Sequence, residues 1–93
     1  MPAYERAELT AELTVVPTSE AESPPREQVE AAKRVAGESG LAHEAGPEIT
    51  ALAGGRREVL EASLKVIEAA LDAGAHAVEV RVEAEGEAER FGD

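Results

Sequence analysis

The chain has 93 residues, of which 20 are acidic and nine are basic, so its formal net charge is −11. This length fits a single domain, and a charge of this sign repels nucleic-acid phosphates and anionic membrane surfaces. The absence of cysteine excludes disulfides, thiolate metal sites and thiol catalysis.

The length and composition predict that residues 1–93 form a single domain, with an ordered core at about residues 7–85. No basic-then-apolar signal segment and no apolar run of membrane-spanning length is visible, so we expect a soluble cytoplasmic protein that binds neither nucleic acid nor membrane. The acidity is typical of a solvated surface, and it suits high salt, as in a halophile.

The first predicted element is a strand in which every second residue is apolar. Its apolar residues are Ala7, Leu9, Ala11, Leu13 and Val15, and Glu and Thr alternate with them. A period of two indicates a strand with one buried face. Pro17 cannot donate a backbone hydrogen bond and ends the strand, and residues 18–25 form a loop of Ser, Glu and Pro.

A first helix is predicted after this loop. Ser23 followed by Pro24 matches an N-cap with proline at the first helical position, and Gly40 is the expected end. The apolar residues between them repeat at helical spacing: Val29, Ala32, Val35 and Ala36. Residues 41–45 and 48–53 then flank Gly46 and Pro47 and predict a hairpin.

The strongest helical pattern in the chain lies between Arg57 and Ala73. One face carries Val59, Ser63, Val66, Ile67, Ala70 and Leu71, and Leu60 and Leu64 widen this stripe. Gly74 suits the left-handed position that ends a helix. Residues 78–84 then alternate Val or Ala with charged residues, which predicts a last strand with one buried face.

The predicted order is therefore strand, helix, strand, strand, helix, strand. It indicates an α+β fold, the ferredoxin-like βαββαβ sandwich, in which a four-stranded antiparallel sheet carries two helices on one face. The other face should display Glu8, Glu12, Thr14 and the charged side of the last strand. Because the chain has only 18 Leu, Ile and Val residues, we expect a homodimer or homotetramer that could bury this helix-free face.

Reactive groups are sparse. His43 and His76 are the only histidines, and they are more typical of strand or edge positions than of a metal site. The carboxylates fit solvated faces, and no nucleophile with a base, metal cluster or cofactor fingerprint is present. We predict no catalytic residue, no metal and no cofactor. Ser23 and Thr50 have plain structural explanations as a helix cap and a strand residue.

Four segments nevertheless resemble one known family. They are AELTVVP ending at Pro17, the serine-containing loop before the first helix, GPEIT at 46–50 and VLEASLKVIEAALDAGA at 59–75. Together they resemble the small thiamine-binding protein family, which is related to double-length bacterial proteins that bind thiamine or its hydroxymethylpyrimidine half. The resemblance covers about residues 7–85.

This resemblance implies a ferredoxin-like fold, assembly into dimers or tetramers, and non-catalytic binding of a pyrimidine-bearing ligand, as a carrier or sensor. Pro17 matches the proline that ends the family's first strand, Ser23 falls among its loop serines and threonines, and Thr50 matches the threonine of its Met-Gly-Thr hairpin motif. With Thr18 and Ser19 of the loop after Pro17, Ser23 and Thr50 are the expected ligand-binding residues.

Other positions depart from the family pattern. Glu48 and Ile49 replace the Met and Gly of the hairpin motif, and Ala53 stands where an acidic residue is usual. The segment EAEGEAE at 83–89 replaces a Lys-Ile-Asp-Asp-Arg ending. These departures favour an alternative function, a structural or regulatory oligomerisation module that has lost the ligand. An enzyme is the least favoured of the three classes.

Overall fold

A computed structural model describes residues 7–84 of the chain. Six elements follow one another in the predicted order: β1 (Leu9–Val16), α1 (Pro25–Glu38), β2 (Ala42–Ala45), β3 (Ile49–Gly54), α2 (Arg56–Asp72) and β4 (Ala77–Ala84). Glu85, the end of the predicted core, lies outside the described residues. None of the helices described is long and apolar enough to cross a membrane.

The four strands form one antiparallel sheet in the order β2-β3-β1-β4. Each helix connects two strands that are not neighbours, and both helices pack on the same face of the sheet. This arrangement confirms the ferredoxin-like βαββαβ sandwich. Its central strand, β1, pairs with both β3 and β4, so the residues with the cleanest alternation occupy the middle of the sheet.

The core lies between β1 and the two helices. The alternate residues of β1 are buried against α2, whose Val59 and Val66 are fully buried. Ala32 and Ala36 of α1 are also fully buried, and side chains this small let the two helices approach closely. The hydroxyl of Ser63 is buried in α2 without a hydrogen-bond partner among the described residues.

The buried stripe of α2 is narrower than the sequence pattern indicated. Its buried residues are Val59, Ala62, Ser63, Val66 and Ala70. Leu60, Leu64 and Leu71 are exposed. The prediction that Leu71 lies on the buried face and that Leu60 and Leu64 widen it is wrong, because all three lie beyond the part of α2 that the sheet and α1 cover.

The start of α1 also differs from the prediction. Pro24, not Ser23, is the N-cap residue, and no side chain caps the helix. Pro24 is extended, with ψ 158°, because a residue followed by proline is pushed out of the helical region. Pro25 then opens the helix, one residue later than expected.

The predicted helix ends are confirmed. Gly40 and Gly74 have positive φ angles of 80° and 105°, and each follows the C-cap residue of its helix. At such a φ a side chain would be strained, so glycine permits both chain reversals.

The helix-free face of the sheet is polar, as predicted, over most of its area. Glu12 and Thr14 lie on it beside the charged residues of β4, and Arg81 donates hydrogen bonds to Glu83 from Nη2 and Nε (2.6 and 3.0 Å). These bonds raise the pKa of Arg81 above its usual value. Glu8 differs from the prediction, since its carboxylate accepts a hydrogen bond from the backbone N–H of Arg56 (2.8 Å) at the start of α2.

Candidate functional site

The loop between β1 and α1 is fixed by one buried side chain, that of Gln28. Its Oε1 accepts the backbone N–H of Thr18 (2.9 Å), and its Nε2 donates to the carbonyls of Thr18 and Ser23 (both 2.8 Å). Gln28 is 0% exposed, so these three bonds satisfy an amide that has no access to water. Both ends of the loop are thereby tied to the first turns of α1.

Three of the four expected ligand-binding residues lie on this loop. The hydroxyl of Thr18 accepts the backbone N–H of Glu20 (3.1 Å), Ser19 is exposed, and Ser23 is half-buried. Gln28 brings Thr18 and Ser23 together through their backbone groups. The loop therefore presents its hydroxyls from a rigid base.

Thr50, the fourth expected residue, is built into the sheet. It pairs with Leu13 of β1 and Ala45 of β2 and is 2% exposed, on the side of the sheet that the helices cover. No hydrogen bond within residues 7–84 joins its side chain to the loop. Thr50 is thus buried in the sheet, whereas the other three residues lie on the loop.

A cleft of about 230 Å³ lies between the first turns of α1 and the β2–β3 hairpin, and we call it the hairpin cleft. Its lining residues are Pro17, Pro25, Arg26, Val29, Glu30, Lys33, Pro47 and Glu48. None of the four expected residues lines it, but they adjoin it in the chain. Thr18 follows Pro17, and Thr50 lies two residues beyond Glu48.

The position of Glu48 follows from the hairpin turn. The N–H of Gly46 donates to the carbonyl of Ile49 (2.7 Å), which closes a two-residue turn made of Pro47 and Glu48. The carbonyl of Glu48 accepts the N–H of Val15 (2.9 Å), so the turn is anchored to the end of β1. The predicted hairpin is confirmed, and its turn forms one wall of the cleft.

The lining of the hairpin cleft combines apolar walls with charges of both signs. Three prolines and Val29 provide apolar surface. Glu30 and Glu48 offer carboxylate acceptors, and Arg26 and Lys33 offer donors. A small heterocycle with both amino donors and ring-nitrogen acceptors could be bound by such a set. No aromatic residue lies within 7–84, so ring stacking has no partner in that range.

Two larger clefts lie at the opposite end of the sheet, near the start of α2. One, of about 340 Å³, separates the end of α1 from α2 and is lined by Val35, Glu38, Ser39, Leu41, Glu58, Glu61, Ala62 and Lys65. The other, of about 580 Å³, is lined by Glu8, Arg56, Arg57, Glu58, Leu60 and Glu61. Neither includes or adjoins an expected ligand-binding residue.

The histidines do not converge. Both are exposed, and Nδ1 of His43 lies 3.0 Å from the carbonyl oxygen of Leu41. In the stretch from residue 7 to residue 84, no three His, Asp or Glu side chains are grouped as metal ligands.

The sequence reasoning missed Gln28 and the charged residues of the hairpin cleft. Gln28 lies four residues before Ala32 and therefore on the buried face of α1. A polar residue on a buried helical face needs hydrogen-bond partners, and this signal in the sequence could have identified Gln28. Glu48 departs from the hairpin motif of the family that the sequence resembles. The structure places it in the cleft wall.

Comparison with known proteins gives one family. The family model described as thiamine-binding protein matches residues 11–90. No curated protein matches the chain.

Solved structures with similar folds come from bacteria and an archaeon. The domain of unknown function DUF77 from Bacillus cereus is 25% identical, with a TM-score of 0.68 over 94% of this chain and 82% of its own. A Thermotoga maritima protein, provisionally described as a thiamine biosynthesis/salvage protein, is 20% identical, with a TM-score of 0.64 over 87% and 85% of the two chains. A hypothetical protein from Methanocaldococcus jannaschii is 22% identical, with a TM-score of 0.62 over 85% and 79%.

Proposed function

The chain belongs to the thiamine-binding protein family, and from that premise we propose that it binds thiamine or its hydroxymethylpyrimidine half without chemical conversion, as a carrier or sensor. The observation that carries this proposal is the family match over residues 11–90.

The hairpin cleft is the site we propose for the pyrimidine ring. The ring's exocyclic amino group donates hydrogen bonds, which Glu30 and Glu48 can accept, and its ring nitrogens accept hydrogen bonds, which Arg26 and Lys33 can donate. The prolines offer flat apolar surface to the ring faces. The positively charged thiazolium of thiamine is attracted by a chain of net charge −11.

The loop hydroxyls complete this proposal. Thr18, Ser19 and Ser23 stand on the loop that adjoins the cleft, and Gln28 holds that loop before any ligand arrives, which reduces the entropy lost on binding. Because residues 7–84 contain no aromatic side chain to stack on the ring, we expect weak binding, with hydrogen bonds supplying the specificity.

Calorimetric titration of thiamine and of hydroxymethylpyrimidine tests the proposal, at salt high enough to suppress non-specific attraction of the cation. Wild type should give a saturable heat with at least one compound. Glu48→Gln should weaken that binding about tenfold or more, because a charge-assisted hydrogen bond is lost. Glu61→Gln is the matched control: Glu61 is also an exposed glutamate, it lines the other two clefts, and its replacement should leave binding unchanged.

A second variant tests the expected role of Thr50. Thr50→Val replaces the hydroxyl of a buried side chain by a methyl group. Because Thr50 does not line the hairpin cleft, its effect on binding must act through the adjoining turn at Glu48, and we expect the loss of binding to exceed the loss of stability. Equal binding by wild type and both site variants would refute this placement of the site. The absence of any saturable heat in wild type would favour the alternative, an oligomerisation module that has lost the ligand.

A further inference from the structure

The two carboxylates of the hairpin cleft lie on opposite walls and have different neighbours. Glu30 lies on α1, four residues after Arg26 and three before Lys33, so both basic side chains share its side of the helix. Glu48 lies in the hairpin turn, and residues 41–54, which contain the hairpin, include no lysine or arginine. The negative charge of Glu48 is therefore less compensated by its own element than that of Glu30.

The backbone of Glu48 is fixed, whereas its side chain is available to a ligand. Its carbonyl accepts the N–H of Val15 (2.9 Å), and the turn around it is closed by the hydrogen bond from Gly46 to Ile49 (2.7 Å). The side chain is exposed and forms no ion pair within residues 7–84. An ionised carboxylate only accepts hydrogen bonds, so this wall of the cleft requires a donor on the ligand.

The wall formed by α1 matches one particular edge of the pyrimidine ring. On that edge the amino group is a donor and the ring nitrogen beside it is an acceptor. Glu30 can accept from the amino group while the neighbouring Arg26 or Lys33 donates to that nitrogen. The second ring nitrogen lies opposite the amino group, so a ring held in this way turns its second nitrogen towards the hairpin and Glu48.

A proton is needed at this second nitrogen. In the neutral ring the nitrogen is an acceptor, and an acceptor facing the carboxylate of Glu48 leaves both groups without a donor. When the nitrogen is protonated, it donates a charge-assisted hydrogen bond to the carboxylate instead. The amino group makes this nitrogen basic through conjugation across the ring, although the free compound is mostly neutral at pH 7.

The charges around the hairpin cleft also favour a cation. Residues 17–34 and 43–50, which build the cleft, contain six acidic and three basic residues. Charges attract a cation over distances of about 8–10 Å at physiological salt. Neither histidine lines the cleft, since His43 lies on β2 and His76 donates its backbone N–H to the carbonyl of Val16 (2.9 Å) on the β4 side of β1.

From the proposed function, on which this inference rests, we propose that the hairpin cleft binds the pyrimidine as its protonated cation. The proton comes from solution and forms an N–H bond with the lone pair of the second ring nitrogen, and no other covalent bond changes. This N–H donates to the carboxylate of Glu48, and the amino group donates to Glu30. The cleft thus selects a cationic aminopyrimidine, whether the ring is free or is half of thiamine.

The pH dependence of binding tests this proposal. Because binding takes up a proton, the apparent Kd of hydroxymethylpyrimidine, measured by calorimetry, should rise roughly tenfold from pH 7 to pH 8. Glu48→Gln should lose most of this dependence, because its amide N–H can donate to the neutral nitrogen. The double variant His43→Gln, His76→Gln is the control and should keep the dependence, since both side chains are exposed and outside the cleft. A dependence retained in Glu48→Gln, or lost in the histidine variant, would overturn the proposal.

The absorption spectrum of the ligand shows where the proton lies. The chain has one tyrosine, one phenylalanine and no tryptophan, so it absorbs weakly in the near ultraviolet, where protonation changes the spectrum of the pyrimidine. At pH 7, hydroxymethylpyrimidine bound to wild type should show the spectrum that the free compound has in acid, and bound to Glu48→Gln it should show the neutral spectrum. Saturable binding to wild type with the neutral spectrum would overturn this inference and leave the proposed function in place. The absence of saturable binding would overturn both.

Discussion

At the scale of single residues, the buried side chain of Gln28 fixes the loop before α1. Its amide makes three hydrogen bonds in a position with no access to water, and each bond joins α1 to the preceding loop. A buried polar group of this kind fixes one loop conformation, because every alternative leaves donors or acceptors without partners.

Replacing Gln28 should therefore reduce both stability and ligand binding. We expect Gln28→Leu to lower the free energy of unfolding by about 2–3 kcal/mol, because the backbone groups of Thr18 and Ser23 lose their buried partner. Chemical denaturation measures this loss. Glu27→Gln, an exposed neighbour on the same helix, is the control and should change stability by less than about 0.5 kcal/mol. A loss for Gln28→Leu no greater than that of the control would contradict this role.

Residue roles were the hardest feature to predict from the sequence. Alternation of apolar and polar residues identified the buried residues of β1, because which face of a strand is buried follows from the pattern of that strand alone. The partners of Gln28 are up to ten residues away and become visible only when the loop is folded. Glu8 is similar, since its carboxylate meets Arg56 only after β1 and α2 have been brought together.

At the scale of elements, the two helix ends use glycine in different surroundings. Gly40 has a φ of 80° and a Cβ there would meet no atom within 4 Å, whereas a Cβ on Gly74, at φ 105°, would come within 2.6 Å of the Cβ of Ala21. The turn after α2 therefore packs tightly against the β1–α1 loop.

This contrast gives a paired prediction. Gly40→Ala should lower the free energy of unfolding by about 1 kcal/mol, because alanine is strained in the left-handed backbone conformation. Gly74→Ala should lower it by a further ~1–3 kcal/mol, because Ala21 and the loop must also move. Thermal and urea unfolding of the two variants gives the comparison. Equal losses of unfolding free energy in the two variants would show that the β1–α1 loop can move away from residue 74 without an energetic penalty.

The elements themselves were predictable to within one or two residues. The start of α1 was not, because Ser-Pro is a common helix start and the sequence offers two prolines in succession. The second proline pushes Pro24 out of the helical region and moves the start by one residue. The buried stripe of α2 was only partly predictable, because helical periodicity does not determine how much of the apolar face the sheet and α1 cover.

At the scale of the whole molecule, the dominant feature is a net charge of −11 on 93 residues. Self-repulsion at this charge density opposes the compact state, and salt screens it over distances of about 10 Å at 0.1 M. We expect the melting temperature to rise with sodium chloride. A flat or falling trend up to molar salt would exclude a role for acidity in adaptation to high salt.

A variant of lower charge supplies the control for the salt effect. Replacing the exposed Glu61 and Glu68 of α2 by lysine changes the charge by two units at each position, from −11 to −7. The rise in melting temperature with salt should then be smaller. An unchanged slope would show that salt acts through something other than net repulsion, such as stronger burial of apolar surface.

The central claim is that the hairpin cleft, with its adjoining loop, binds a pyrimidine-bearing ligand. Backbone-amide NMR during titration with hydroxymethylpyrimidine tests it most directly, because each amide reports its own surroundings. We predict saturable shifts concentrated in residues 18–33 and 46–50. Shifts concentrated in residues 35–41 and 56–65, or no saturable shift anywhere, would contradict it.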